Sequence, residues 1–534
     1  MKYLLILMVI VMICAFIITG CSTTATTTPA ATTPAAATKA SLPTTAIAAK
    51  VTPTASPVSG GMVTYVDPTT VGGPLGLPWL NRQQYNGFQL CLECLVDVNR
   101  DGVIMPRLAE SWETNADPTN PSITFHLRKG VKFHDGTDFN AKVVVWNLQK
   151  YKEGGYLVTS RYIKSTDILD DYTLRLNLTQ WRNTLLGAFN MSPLVSEAAY
   201  EKNGEDWARW NMVGTGPFKQ SDFNRDVSLT AVKFDNYWQT GKPYLSQVKY
   251  LNVVDESTRM ALLRSGTGDI TDLNKSGKAA IALQNEGYKI ITQPVGILSL
   301  IPDSVNADSA WSNIKVRQAA EYAIDKDAIA KAFGFGFTTA AYQVYPEGYW
   351  GYNPAITQHK YDPAKAKQLL TEAGYANGFK STIISDNTIN KDIATAIQSY
   401  FDAVGIKVEL DFPAAARFTD YSMGTWNNAL LFTTLRAGAQ PTQVLTFTAE
   451  PRTQYKSNKN PDNWMDTYNK MMTTPALDQK IYLDGLKAQA DSEMLVPVIY
   501  AVDIMEVSPK LQDHSIGTLQ NAVTWNVNGA WLSK

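Results

Sequence analysis

Cysteine is scarce in this chain: four residues in 534, and only Cys91 and Cys94 lie beyond the N-terminal stretch. A lone CxxC can be a redox pair, half a zinc site or a small disulfide. Zinc needs further ligands, and the four histidines (His126, His134, His359, His514) are scattered. Excess charge is missing too. The formal net charge of −1 leaves no electrostatic footprint for nucleic acid. Past the N-terminal stretch, no apolar run approaches the ~20 residues that span a bilayer. Catalytic signatures are absent as well: there is no Gly-x-Ser-x-Gly elbow and no His-Glu-x-x-His. Gly241-Lys242 and Gly277-Lys278 lack the rest of a phosphate loop. Asp97 to Gly102 imitates the head of a calcium loop, but the twelfth position, where a bidentate glutamate belongs, is Leu108. These gaps predict a protein that is no enzyme and carries no metal or cofactor.

What is present begins at the N-terminus. Lys2 precedes an apolar run from Tyr3 to Ile18, which leads into Thr19-Gly20-Cys21. A cationic start, a short hydrophobic stretch and a small-residue exit mark a secretory signal. The exit resembles the lipobox of bacterial lipoproteins, which implies that Cys21 is acylated and becomes the mature N-terminus. From Ser22 to Ser59 the chain is almost all Thr, Ala, Pro and Ser, with Lys39 and Lys50 as its only charges. Such a segment cannot bury enough surface to offset its ordering entropy, so it reads as an extended tether. Residues 1–20 are thus expected to be a signal peptide and 21–59 a lipid-attached linker.

The remaining ~475 residues have room for two to four domains. Alternation predicts strands over 61–67, 122–127, 130–133, 172–178, 227–232 and 407–410. Helical spacing covers 82–95, 140–151, 257–265, 314–333, 363–373 and 391–404. On the first of these helices Cys91 and Cys94 would share an apolar face, as buried thiols or a local disulfide. The mixture points to α/β or α+β lobes.

Several phrases then occur in a fixed order. Pro106 to Glu113 reads PRLAESWE, and Thr124 to Thr137 reads TFHLRKGVKFHDGT. Asn211 to Phe218 reads NMVGTGPF; Asn236-Tyr237-Trp238 and Gly241 to Tyr244 follow. Val316 to Ala319, Ala323 to Lys326, Tyr361 to Leu370 and Glu372 to Tyr375 complete the series. Together they resemble the large extracytoplasmic solute-binding proteins, family 5, that serve ABC importers of peptides, nickel chelates and some oligosaccharides. The residues themselves read as scaffold. Asp362-Pro363 starts a helix, Gly374 ends one, and Gly214-Thr215-Gly216-Pro217 makes a sharp turn that is expected to need unusual φ angles.

The resemblance implies an α/β, two-lobed periplasmic-binding-protein fold (type II, with an extra subdomain) and a hinged cleft. It implies a discontinuous lobe I (60–90, 213–296 and 508–534), a lobe II of 91–212 and a lobe III of 297–507. It also implies that the protein is a membrane-tethered monomer that hands a peptide-like or other small organic solute to a permease driven by an ATPase, with no nucleic-acid partner. A surface sensor and a tethered hydrolase are the rival readings. The family draws its pocket from four places, here 71–79, 156–162, 298–306 and 426–438. The candidates within them are Val71, Trp79, Tyr156, Tyr162, Asn306, Trp426, Thr434 and Arg436. Aromatic faces are apt for enclosing organic solutes, and Trp350 and Trp525 also lie outside plausible helix cores. The chain departs from oligopeptide binders in one respect. They carry an aspartate in the last segment for the peptide's ammonium group, whereas no acid occurs here between Trp426 and Gln443. Arg436 would hold an anion or face water.

Overall fold

The computed structural model describes residues 56–67, 72–80, 85–99, 101–154, 160–272, 277–437, 454–516, 525 and 527–533. The signal segment, Cys21, most of the linker, Val71 and Tyr156 lie outside the described residues. Among the described residues, no helix is long and apolar enough to cross a membrane.

Among the described residues, fourteen strands make up the two larger sheets. They are β1 (Met62–Asp67), β2 (Ala109–Asn115), β3 (Ser122–Leu127), β4 (Ile163–Asp170), β5 (Thr173–Leu178), β6 (Phe218–Asn224) and β7 (Ser228–Lys233). Then come β8 (Gln247–Asn252), β9 (Ile270–Asp272), β10 (Lys289–Pro302), β11 (Phe379–Ser385), β12 (Ile406–Asp411), β13 (Ala429–Arg436) and β14 (Val496–Val507). Ten of them form one sheet in the order β12-β11-β13-β10-β14-β9-β1-β8-β7-β6, and β2-β3-β5-β4 form a second. The helices used below are α1 (Tyr85–Cys91), α2 (Ala141–Glu153), α3 (Gly277–Asn285), α4 (Ile314–Ala323) and α5 (Lys326–Phe333). They continue with α6 (Pro363–Glu372), α7 (Lys391–Val404), α8 (Trp464–Thr473) and α9 (Gln479–Asp491).

Two long strands hold the large sheet together. Among the described residues the first half of β10 pairs only with β14, from Lys289 opposite Val507 onward, while its second half also pairs with β13, Gly296 opposite Arg436. The far end of β14 pairs with β9, Ile270 opposite Val507. One lobe therefore grows on β1 and β6–β9, the other on β10–β13, and β10 and β14 run through both. A bulge interrupts β10 between Pro294 and Gly296. Gly296 sits at φ +152°, and a Cβ there would lie 1.9 Å from the Leu435 carbonyl oxygen. Only glycine fits such a bend.

The β13 sequence ALLFTTLR shows why the second lobe is layered. It is buried almost throughout, as a strand covered on both faces should be. Leu430 and Phe432 enter a core with Trp311, Phe401 and Val498. Leu431 and Leu435 enter another with Trp426, Tyr482 and Tyr500. The first lobe and the smaller sheet share one core, which joins Val63 and Tyr250 to Phe125 and Tyr151.

Several sequence-predicted elements differ in instructive ways. The helix expected over 82–95 ends at Cys91, because Glu93 leaves it to bridge to Leu194. Cys91 and Cys94 are consequently free, buried thiols rather than a disulfide. The region 314–333 is two helices, broken where the Asp325 side chain caps α5 by accepting from Ala328 N. Residues 130–133 form only a single bridge, Lys132 to Asp138. Gly214 and Gly216 avoid positive φ. They are glycines because a Cβ on Gly214 would stand 2.2 Å from the Cys91 carbonyl oxygen.

Candidate functional site

Three of the ordered phrases, those holding Arg107, Thr215 and Tyr237-Trp238, converge on one carboxylate. Glu93, with its side chain 1% exposed, accepts from Arg107 Nε at 2.8 Å. It also accepts from Thr215 Oγ1 at 2.8 Å, Tyr237 O–H at 2.8 Å and Trp238 Nε1 at 2.9 Å. Nearby, His134 Nε2 bonds the Gly216 carbonyl at 3.0 Å while Gly214 N donates to Nδ1. Burial pushes the His134 pKa down to about 4, so the ring is neutral. These residues form framework rather than a ligand site.

A cavity of about 390 Å³ lies against the two long strands that the lobes share. Its walls are the start of α3 (Gly277, Lys278), the turn after α5 (Phe333 to Phe335, with Thr338), the start of α7 (Thr388 to Asn390, Ile393) and the hinge strands. The hinge strands contribute Leu298 and Ile499 to Val502. The lining mixes apolar side chains with hydroxyl and amide groups, and Lys278 is the one charged side chain among its described residues. Phe335 has φ +52°, a conformation that costs a side chain about 1 kcal/mol or more. It is held there against Gly277, where an added Cβ would meet Phe335 Cβ at 2.8 Å. Tyr500 is fixed by its hydroxyl donating to the Tyr345 carbonyl at 3.0 Å.

The other lobe ends two of its strands in carboxylates. Asp67 and Asp272 stand at the ends of parallel β1 and β9, the strand ends that carry ligand sites in open α/β sheets. Asp503 lies in β14. All three act on Tyr65, whose pKa is raised by burial first and by these charges next. Among the described residues, no group of three or more His, Cys, Asp or Glu is arranged to hold a metal ion.

A further set of contacts ties two distant segments together. Trp181 Nε1 donates to the Thr474 carbonyl at 2.8 Å, and Asn183 N donates to the Met472 carbonyl at 2.9 Å. Asn183 Nδ2 reaches the Met471 carbonyl at 2.7 Å and Thr474 Oγ1 at 2.8 Å. The last carbonyls of α8 would otherwise lack partners. Here a segment nearly three hundred residues away satisfies them.

The sequence-predicted candidates fall in varied places. Trp79 is buried against Trp146, Tyr151 and Tyr200. Tyr162 is half-buried under the Arg161 guanidinium. Asn306 donates to Asp303 Oδ1 at 2.7 Å, and Trp426 is buried in the second lobe. Thr434 stands opposite the cavity-lining Leu298, and Arg436 is exposed opposite Gly296. Trp350 packs on Tyr482, and Trp525 Nε1 donates to the Tyr250 hydroxyl. The residues around the cavity that local reading missed are Lys278, Phe335, Thr388, Asn390 and Tyr500. Their one sequence signal was Asn390 ahead of an apolar helix.

Two lobes joined by continuous strands, with a cavity at the seam, define a hinged binding protein of the periplasmic type. The chain belongs to the bacterial extracellular solute-binding proteins, family 5, whose model matches residues 103–453. It is 33% identical over 352 residues to heme-binding protein A of Haemophilus influenzae, covering 60% of this chain and 63% of that protein. It is 31% identical over 325 residues to the glutathione-binding protein GsiB of Salmonella choleraesuis, covering 59% of this chain and 62% of that protein. Each alignment thus spans a little under two thirds of the relative's length. The ABC transporter-associated periplasmic binding protein DppA from Helicobacter pylori, in complex with the peptide STSA, superposes with a TM-score of 0.70 at 26% identity. That likeness covers 89% of this chain and 99% of DppA.

Proposed function

We propose that the protein is the lipid-anchored receptor of an ABC importer: it encloses a small organic solute between its lobes and presents it to a membrane permease. Cys21 carries the lipid, and the Thr/Ala/Pro-rich linker holds the folded part off the membrane. Residues 60–90, 213–296 and 508–534 form lobe I, 91–212 lobe II and 297–507 lobe III. The observation that carries this reading is the seam cavity, walled by both lobes and floored by the two strands that connect them. Bending at the Gly296 bulge would open it, and ligand would shift the balance toward the closed form. No chemistry on the solute is required, because a separate ATPase drives transport.

The relatives are named for heme and for glutathione, so family membership alone does not select a ligand. The cavity itself favours a solute with an apolar body and a polar group within reach of Lys278. Native mass spectrometry of gently purified protein tests this directly. The expected result is one co-purifying organic molecule, released on denaturation, whose re-addition makes the protein more compact in small-angle scattering. Chemical conversion of that molecule by the purified protein would refute the receptor reading.

A further inference from the structure

A second cavity, of about 160 Å³, lies within the lobe built on β10–β13. One water needs only ~10–15 Å³ by the same measure, so there is room for an organic molecule. The cavity is lined by α4, residues 342–344 and α9, and it shares no lining residue with the seam cavity.

Gln489 projects from α9 as part of the lining. It is 3% exposed, and neither its Oε1 nor its Nε2 has a hydrogen-bond partner among the described residues. A buried amide with both ends unsatisfied is rare and calls for an explanation, of which a bound polar molecule is one. Beside it, His359 Nε2 bonds Glu493 Oε1 at 2.8 Å, which leaves the buried Nδ1 free. The charges around the cavity are already matched: Glu321 with Lys326, Glu493 with His359, and Asp491 with Lys487. An ionic guest would find no counter-charge there. Val344, Ile356, Leu486 and Leu495 supply an apolar surround.

We propose that this cavity is a second solute site, taking a small uncharged carboxamide or urea-type molecule whose C=O and N–H pair with the Gln489 amide. Two antiparallel N–H···O=C bonds would satisfy both free ends of Gln489 at once. His359 Nδ1 adds a third polar contact for a longer guest. The site is independent of whichever solute fills the seam.

The test uses acetamide as probe on the full folded protein, by saturation-transfer NMR and by crystal soaking. Millimolar acetamide should show transfer and occupy the cavity against Gln489. The Gln489→Leu variant should weaken it by about tenfold or more, as loss of a hydrogen-bonded pair predicts. Should that variant fail to fold, Leu486→Trp, which fills the space and keeps Gln489 in the chain, must also abolish binding. Ordered water alone in soaked crystals, binding at crystal concentration only, or equal binding to either folded variant would overturn the proposal.

Discussion

Arg107 and Glu93 form a nearly buried ion pair at 2.8 Å, and three further donors crowd the same carboxylate. Asp97 flanks the guanidinium at 3.2 Å. Four stretches far apart in the chain are thereby pinned to one point: 93–97, 107, 215 and 237–238. Removing one partner of such a pair strands the other's charge. Glu93→Ala should therefore destabilise the protein by about 3–5 kcal/mol, whereas Thr215→Val, which removes one donor, should cost about 1–2 kcal/mol. Urea unfolding followed by tryptophan fluorescence measures both. Equal midpoints for the two variants would show that Glu93 is not the organising charge.

His134 makes stability depend on pH. Its folded pKa is depressed to about 4 from an unfolded value near 6.5, so the unfolded chain binds the extra proton first. Its contribution is full above about pH 6.5 and is lost as pH falls through 4. The shift corresponds to about 3 kcal/mol. His514 acts in the same direction, with its pKa lowered by burial and Lys289. His359 acts oppositely, since its bond to Glu493 raises its pKa, and that support fades as pH rises. His134→Gln should flatten the acid limb of a plot of melting temperature against pH and leave the neutral side nearly level. An unchanged acid limb would contradict the buried neutral ring.

Gly296 tests the hinge. A side chain there would have to occupy the position of the Leu435 carbonyl and hold a left-handed φ. Gly296→Ala should cost about 2–3 kcal/mol and disturb the pairing of β10 with β13. The companion change Gly136→Ala, at a turn with open space and φ +87°, should cost only about 1 kcal/mol. Thermal unfolding separates the two, and equal costs would mean that the bulge is not tightly packed.

Much of the framework was legible because local rules dominate it. Lys391–Val404 is a helix with Asn390 at its N-cap and Gly405 in the left-handed region, both written into the sequence. Asp362-Pro363 likewise opens α6, with the Asp362 side chain accepting from Lys365 N. The cavity was less legible for a physical reason. Its walls come from 277–278, 298, 333–338, 388–393 and 499–502, stretches that meet only through β10 and β14. No periodicity marks a residue whose neighbours are hundreds of positions away. Glycine carried a similar ambiguity: Gly214 could have meant positive φ or close approach, and only the position of Cys91 decides between them.

The contact of Asn183 with the end of α8 bears most directly on how the protein would let go of its solute. If the proposed lobes II and III separate during delivery, these bonds are among those that must break, because they join Asn183 to Met471 and Thr474. Asn183→Ala removes two side-chain bonds while the backbone bond to Met472 survives. At about 1 kcal/mol each, the closed form should lose about 2 kcal/mol. The effect should appear as a solute dissociation rate roughly tenfold or more faster, with association little changed. Small-angle scattering of the solute-free variant should show a larger radius of gyration, while its unfolding midpoint stays near that of the parent. A lowered midpoint with unchanged dissociation would make the contact ordinary packing, and the closing motion would then depend on β10 and β14 alone.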